Sequence, residues 1–305
     1  MAFDVDFRIC VVVMAVLTGV YVIIGGYMAT AWNDLIQGII MLFGIVAVIA
    51  AVLSGHGGFM AAVKELAQVP SSVMPGAYAS FLGPDPANLF GVVILTSLGT
   101  WGLPQMIQKF YAIKDEKAVH TGTIISTLFA IVVSGGCYFL GGFSRISGVK
   151  EAVDGTVKYD TIIPTMLSSL PDILIGIVIV LVLSASMSTL SSLVLTSSST
   201  LTLDFIKPLF VKKMNEKQQL VWMRVLLAGF ILISVVIALD PPAFIAQLMG
   251  ISWGALAGAF LAPFLYGLYW KGVTRAAVWA SFICGVGITV CLLYTSDAAD
   301  ELDGV

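Results

Sequence analysis

Between Ser184 and Thr200 an apolar run carries eleven hydroxyl side chains: Ser184, Ser186, Ser188, Thr189, Ser191, Ser192, Thr196, Ser197, Ser198, Ser199 and Thr200. Ala185, Ser188 and Thr189 stand at i, i+3 and i+4, so a helix presents them on one face. Two hydroxyl oxygens beside a backbone carbonyl make a neutral oxygen cage, which suits a hard monovalent cation. Hydroxyls in membrane helices also bond back to their own carbonyls or join helices together, and spacing alone leaves both readings open.

Two further stretches carry polar chemistry. Asp34, in Ala31-Trp-Asn-Asp-Leu-Ile-Gln37, is the main carboxylate at the edge of two otherwise uncharged apolar runs. An ionisable group near membrane depth points to function, whereas a carboxylate at a helix N-terminus serves structure. The run from Gly91 to Pro104 contains Gly99, Gly102 and Pro104, which weaken or remove helical hydrogen bonds. It reads either as a proline kink or as a discontinuous helix of the kind that lines a transporter binding site. Nucleotide-binding, zinc-protease and nucleophile-elbow motifs are missing, as are paired carboxylates within a span. No enzyme is expected.

The elements that hold these residues follow from composition. Of 305 residues, 59% are hydrophobic and 11% charged, with a mean hydropathy of +1.01. Soluble domains carry about 25% charged residues, so lipid has to cover this chain. Apolar runs near 9–28, 35–53, 89–112, 118–142, 171–205, 219–239, 243–270 and 275–293 predict about eight transmembrane helices and an all-α, multi-pass fold. Pro171 and Asp172 suit the start of the fifth run and Pro208 its end. Residues 54–88 hold a short amphipathic stretch, Phe59 to Gln68, before four prolines; residues 143–170 form a polar connection. Each reads as a surface loop or as a gate. Gly250, Gly254 and Gly258 make a small-residue stripe for helix packing. The net charge of −3 gives no sign of a nucleic-acid partner, and the four cysteines, Cys10, Cys137, Cys284 and Cys291, are expected to be free and buried.

Lysine and arginine set the orientation. Lys109, Lys114, Lys117, Lys207, Lys212, Lys213, Lys217, Lys271 and Arg275 fall in one set of connections, and Arg8, Lys64, Arg145, Lys150 and Lys158 in the longer, opposite set. The first set is expected in the cytoplasm, which places the N-terminus of this chain outside.

Taken together these segments resemble the sodium:solute symporter family. Gly25-Gly-Tyr-Met-Ala-Thr-Ala-Trp-Asn-Asp34-Leu-Ile-Gln37 is similar to the family's G-G-x-x-A-V-x-W-T-D-x-x-Q signature, with Asn33 for threonine. Ala185 to Ser191, followed by Ser198, Ser199 and Asp204, is similar to its A-x-M-S-T-x-x-S…S-S…D segment. Gly102-Leu-Pro104 through Phe110 resembles G-x-P-x-x-x-x-R-F, with Lys109 for arginine. The resemblance implies a five-plus-five inverted-repeat fold, of which residues 1–290 supply the last two helices of repeat one, repeat two and one trailing helix. It implies sodium at the Ala185 carbonyl and the Ser188 and Thr189 hydroxyls, with the opposing helix expected upstream of Met1, so the chain reads as a fragment. Residues 291–305 resemble translated sequencing adapter and are set aside as a non-native tail.

The expected function is sodium-coupled import of a small polar solute by alternating access, in a bacterial inner membrane. Asp34 would lie on the ion's exit path. Thr96, Thr100, Trp101 and Pro104 are the candidates to line the solute site, Thr96 and Thr100 standing where the sodium/proline branch has a tryptophan and a tyrosine. That departure leaves the solute open, as are the sodium stoichiometry and the oligomeric state. A channel, a membrane enzyme and a non-transporting structural or sensor protein are the rivals. The first lacks a repeated charged or carbonyl ring, and the second lacks convergent acid, base or metal residues.

Overall fold

The computed structural model describes residues 6–71, 73–146, 161–167, 170–240 and 245–302, with the backbone alone for Ala246 and 293–302. The regular structure among the described residues is entirely helical, with no strand. In chain order the helices are α1 (Phe7–Gly55), α2 (Phe59–Gln68), α3 (Pro86–Ser97), α4 (Pro104–Phe110), α5 (Glu116–Gly142), α6 (Ile162–Leu167), α7 (Asp172–Thr200), α8 (Lys207–Leu209), α9 (Glu216–Leu239), α10 (Ile245–Tyr269) and α11 (Arg275–Leu302). Six of the described segments are long and apolar enough to cross a membrane, and α3 with α4 makes a seventh if counted as one bent span. This is a multi-pass membrane protein.

The difference from eight separate spans lies in α1. Its 49 residues would reach about 74 Å if straight, more than twice a hydrocarbon core of about 30 Å. Gly26 interrupts it with φ +58° and ψ −152°, a conformation only glycine adopts readily. The arms on either side, residues 7–25 and 27–55, correspond to the first two expected spans.

The ends of the helices are written in the sequence. Asp6, Asp85 and Asp115 each accept a hydrogen bond from a backbone N–H in the first turn of α1, α3 and α5. Asn215 and Gln218 form a reciprocal capping box at α9. The amphipathic stretch in the first long connection is α2, with the bounds expected of it. Of the second connection, Phe143–Ile146 forms a 3₁₀ turn and α6 follows, while Lys150 and Lys158 lie outside the described residues. So do the first two positions of the run expected at 243–270.

Two features of α7 and α11 differ from expectation. Beyond Thr200 the α7 segment continues as a π-helix, Leu201–Ile206, before α8. The Ser198 and Thr202 hydroxyls occupy the Leu195 and Ser198 carbonyls. Pro208 has no N–H to return to Asp204. Both loosen the regular ladder there. The α11 backbone runs on to Leu302 rather than stopping near 293, because no glycine or proline interrupts Tyr294 to Leu302.

The chain divides into two compact units. One comprises Met1–Ser80 and Asp115–Pro242, the other Phe81–Lys114 and Ala243–Val305. In the first, Ile45, Val48 and Val52 of α1 pack with Leu140 of α5, Val178 of α7, and Met166 and Leu167 of α6. Ala15 and Val22 pack with Val194 and Leu195 of α7 and with Leu227 and Ile231 of α9. Both arms of α1 therefore lie along α7. Ala62 and Leu66 seat α2 on Phe143, and Arg145 stands 4.1 Å over the Tyr78 ring.

In the second unit α10 packs on α11 through the glycine stripe. A Cβ on Gly258 would fall 3.1 Å from the Gly285 Cα, so the two backbones touch there. Gly250 and Gly254 meet nothing within 4 Å, so the stripe works at one position of three. The cysteines correct the sequence reading in one respect. All four are free, but they are exposed rather than buried, since each sits on a helix face that no other described residue of this chain covers.

Candidate functional site

The polar residues of the first unit converge where the two arms of α1 meet α7. The Ser188 hydroxyl donates to the Asp34 carboxylate, Oγ to Oδ1, at 2.8 Å across 154 residues of sequence. From the other arm, the Tyr21 hydroxyl donates to the Met187 carbonyl at 3.1 Å. Tyr21 also neighbours the side chains of Asn33, Asp34 and Ser191. Consecutive residues of α7, Met187 and Ser188, are thus held by opposite sides of the Gly26 break.

The local reasons are simple. On the second arm, Thr30, Gln37 and Gly44 recur every seven residues, and all are buried. That face meets α7: a Cβ on Gly44 would lie 2.8 Å from Leu181 Cδ1 and 3.6 Å from Ile177 Cγ2. Asp34 shares the contact, ten residues and about 15 Å before Gly44, so the arm and α7 run antiparallel. On α7, Ser184, Ser188 and Ser191 follow at i, i+4 and i+7, and Ser184 and Ser191 are buried.

The face proposed for the cation is more self-contained. The Thr189 hydroxyl donates to the Ala185 carbonyl at 3.0 Å, the back-bond open to any helical hydroxyl. A hydroxyl that donates in this way keeps its lone pairs for a cation. Thr189 is exposed and Ala185 and Ser188 are half-buried, so this face has one wall formed by α7. Ser188 belongs to both groups, because it lies on the face with Ala185 and Thr189 and also bonds Asp34. Three buried polar atoms in α1 have no hydrogen-bond partner: Thr18 Oγ1, Asn33 Nδ2 and Gln37 Oε1. Two of them flank Asp34.

The sequence reading placed Asp34 and Ser188 separately and did not join them. It missed Tyr21 altogether. The signal was present: Tyr21 lies five residues before Gly26 and Asp34 eight after, so a break at that glycine brings them together.

The solute-lining candidates lie in the second unit. Leu103 is extended (φ −74°, ψ 121°) between the 3₁₀ turn Gly99–Gly102 and α4, and the two halves of the span bend by 52°. This is a discontinuous helix rather than a kink. Gly102 and Leu103 are buried, with the glycine against the Leu261 backbone of α10. Thr96 and Thr100 return their hydroxyls to the Val92 and Thr96 carbonyls at 2.8 and 3.2 Å. Trp101 is exposed, and Pro104 opens α4, where its missing N–H costs nothing. Among the described residues no three His, Cys, Asp or Glu side chains group as metal ligands.

A broken span in one unit and a carboxylate–hydroxyl pair between long apolar helices in the other describe an integral membrane protein with polar groups inside its membrane-spanning part. The chain belongs to the sodium:solute symporter family, whose pattern it matches over residues 1–285. It is 29% identical over 295 residues to the sodium/pantothenate symporter of Haemophilus influenzae, covering 94% of this chain and 59% of that one. The Escherichia coli sodium/pantothenate symporter is also 29% identical, over 96% of this chain and 60% of its own. The Salmonella typhimurium sodium/proline symporter is 28% identical, over 89% and 54%. The chain therefore spans somewhat more than half the length of these curated relatives.

Proposed function

We propose that this chain is the ion-handling part of a sodium-coupled symporter that imports a small polar solute by alternating access. The observation that carries the reading is the Ser188–Asp34 hydrogen bond, which ties the hydroxyl face of α7 to the signature carboxylate. Sodium is the cargo ion. The Ala185 carbonyl and the Ser188 and Thr189 hydroxyls would replace part of its water shell. Asp34 would receive the ion on its way inward, since its carboxylate already touches one of the three proposed ligands. Thr96, Thr100, Trp101 and Pro104 would line the solute path at the broken span, where backbone groups freed from helical bonding can face a polar ligand. The basic connections argue for the inner membrane with the N-terminus of this chain outside. Residues 1–290 would form the symporter portion and 291–305 a tail outside it.

The test is sodium-stimulated uptake by the complete transporter in vesicles, across a panel of amino acids, sugars and vitamins. Saturable, sodium-dependent uptake of one solute is expected. Non-saturable flux would indicate a channel, and no flux a structural or sensor protein.

A further inference from the structure

Ser188 can serve an ion and Asp34 together only if α7 keeps one rotation about its axis. One helical residue of rotation, about 100°, would carry Ser188 off the α1 contact. Apolar packing above and below is non-directional and therefore more tolerant of small rotations. A hydrogen bond to the backbone is not, and Tyr21 makes one. Its hydroxyl donates to the Met187 carbonyl, the residue immediately before Ser188, at 3.1 Å. A helical carbonyl has a second lone pair, so it accepts this bond while keeping its own helical partner. The grip is on main chain and survives any change of side chain along α7.

The ring itself is half-buried and packs with the cluster of Ala15, Val22, Val194 and Leu195. The hydroxyl is therefore carried by a fixed stem. Asn33 of α1 and Ser191 of α7 lie beside it and Asp34 is near enough to act on it electrostatically, so the phenol sits between the two helices that the Ser188–Asp34 bond joins.

We infer that Tyr21 is a positioning residue for the sodium site, setting the rotation and height of α7 so that Ser188 faces Asp34 while Ala185 and Thr189 face the ion. This rests on the symport reading above. The residue touches no cargo ion itself and acts through the Met187 backbone.

The experiment uses the complete transporter with Tyr21→Phe, which removes only the hydroxyl. Half-saturating sodium is expected to rise about 3- to 10-fold, the range for one lost hydrogen bond, with solute affinity at saturating sodium unchanged. Tyr21→Phe and Ser188→Ala should combine to less than the product of their separate effects, because both disturb one contact. A merely structural tyrosine would lower thermal stability and leave sodium dependence alone, and that result overturns the inference. Should the Phe variant fail to reach the membrane, 3,5-difluorotyrosine at position 21 decides, since fluorination makes the phenol far more acidic than the parent's, so that it loses its proton and stops donating at a lower pH. Its sodium requirement should climb with pH more steeply than the parent's; equal pH dependence in the two proteins would also overturn it. If Ser188→Ala and Thr189→Ala both leave sodium dependence unchanged, the placement of the ion at α7 fails; if only the Tyr21 replacements are silent, this inference fails alone.

Discussion

At Ser188 one oxygen is asked to do two things, and the two can be separated by substitution. Ser188→Ala removes the hydroxyl shared by the proposed ion face and Asp34, whereas Thr189→Ala removes one that bonds only the Ala185 carbonyl. Each should raise half-saturating sodium, by about 5- to 150-fold for a loss of about 1–3 kcal/mol, and uptake titrated with sodium checks this. The parent's sodium dependence in both variants would place the site elsewhere. Asp34→Asn keeps the oxygen that accepts from Ser188 and removes the charge. Hydrogen bonds to charged groups exceed neutral ones by about 1 kcal/mol, so the expected outcome is normal expression with uptake slowed by roughly 5- to 10-fold. Expression lost equally in the Asn and Ala variants would make Asp34 a structural residue. These two positions were visible in the sequence because hydroxyls and a carboxylate are conspicuous among apolar residues. Tyr21 was not, because a tyrosine in a membrane span has many uses and only its distance from Gly26 gives it this one.

Elements repeat the lesson. Helix ends were legible where proline marks them, since Pro171 stands just before α7 and Pro208 one residue from the end of the α7 segment; the caps at Asp115 and Asn215 were not singled out. The π-helix at Leu201–Ile206 was not legible, since it arises from several hydroxyls and a proline acting on one ladder at once. The Gly26 break lay between, because a Gly-Gly pair in an apolar run marks a weak point without giving its angle. Its φ and ψ belong to a region that costs other residues about 1–3 kcal/mol. Gly26→Ala should therefore lower stability by that amount and, by moving one arm of α1 against the other, raise the sodium requirement as well. Thermal unfolding in detergent alongside sodium titration measures both. Gly55→Ala, near the end of α1 with open space around it and ordinary helical backbone, is the control expected to change neither.

Across the whole molecule, the class of fold was plain from composition, since a chain with so few charges can be solvated only by lipid. Which helices touch was not, because a lipid-facing surface and a protein-facing one are equally apolar; the exposed cysteines show how easily the two are confused. The partners of the polar face of α1 lie 154 and 166 residues away in sequence. That separation has a consequence for how the protein is made. At about 5–20 residues per second, the ribosome needs roughly 8 to 30 s after Asp34 emerges before Ser188 follows. For that interval Tyr21 and Asp34 are without the helix that supplies the Met187 carbonyl and the Ser188 hydroxyl they bond, a state quality-control proteases are suited to recognise. Nascent chains ended before Ser184 should accordingly be degraded several-fold faster in pulse–chase than chains ended after Leu209. Replacing Tyr21 by phenylalanine and Asp34 by leucine should abolish the difference.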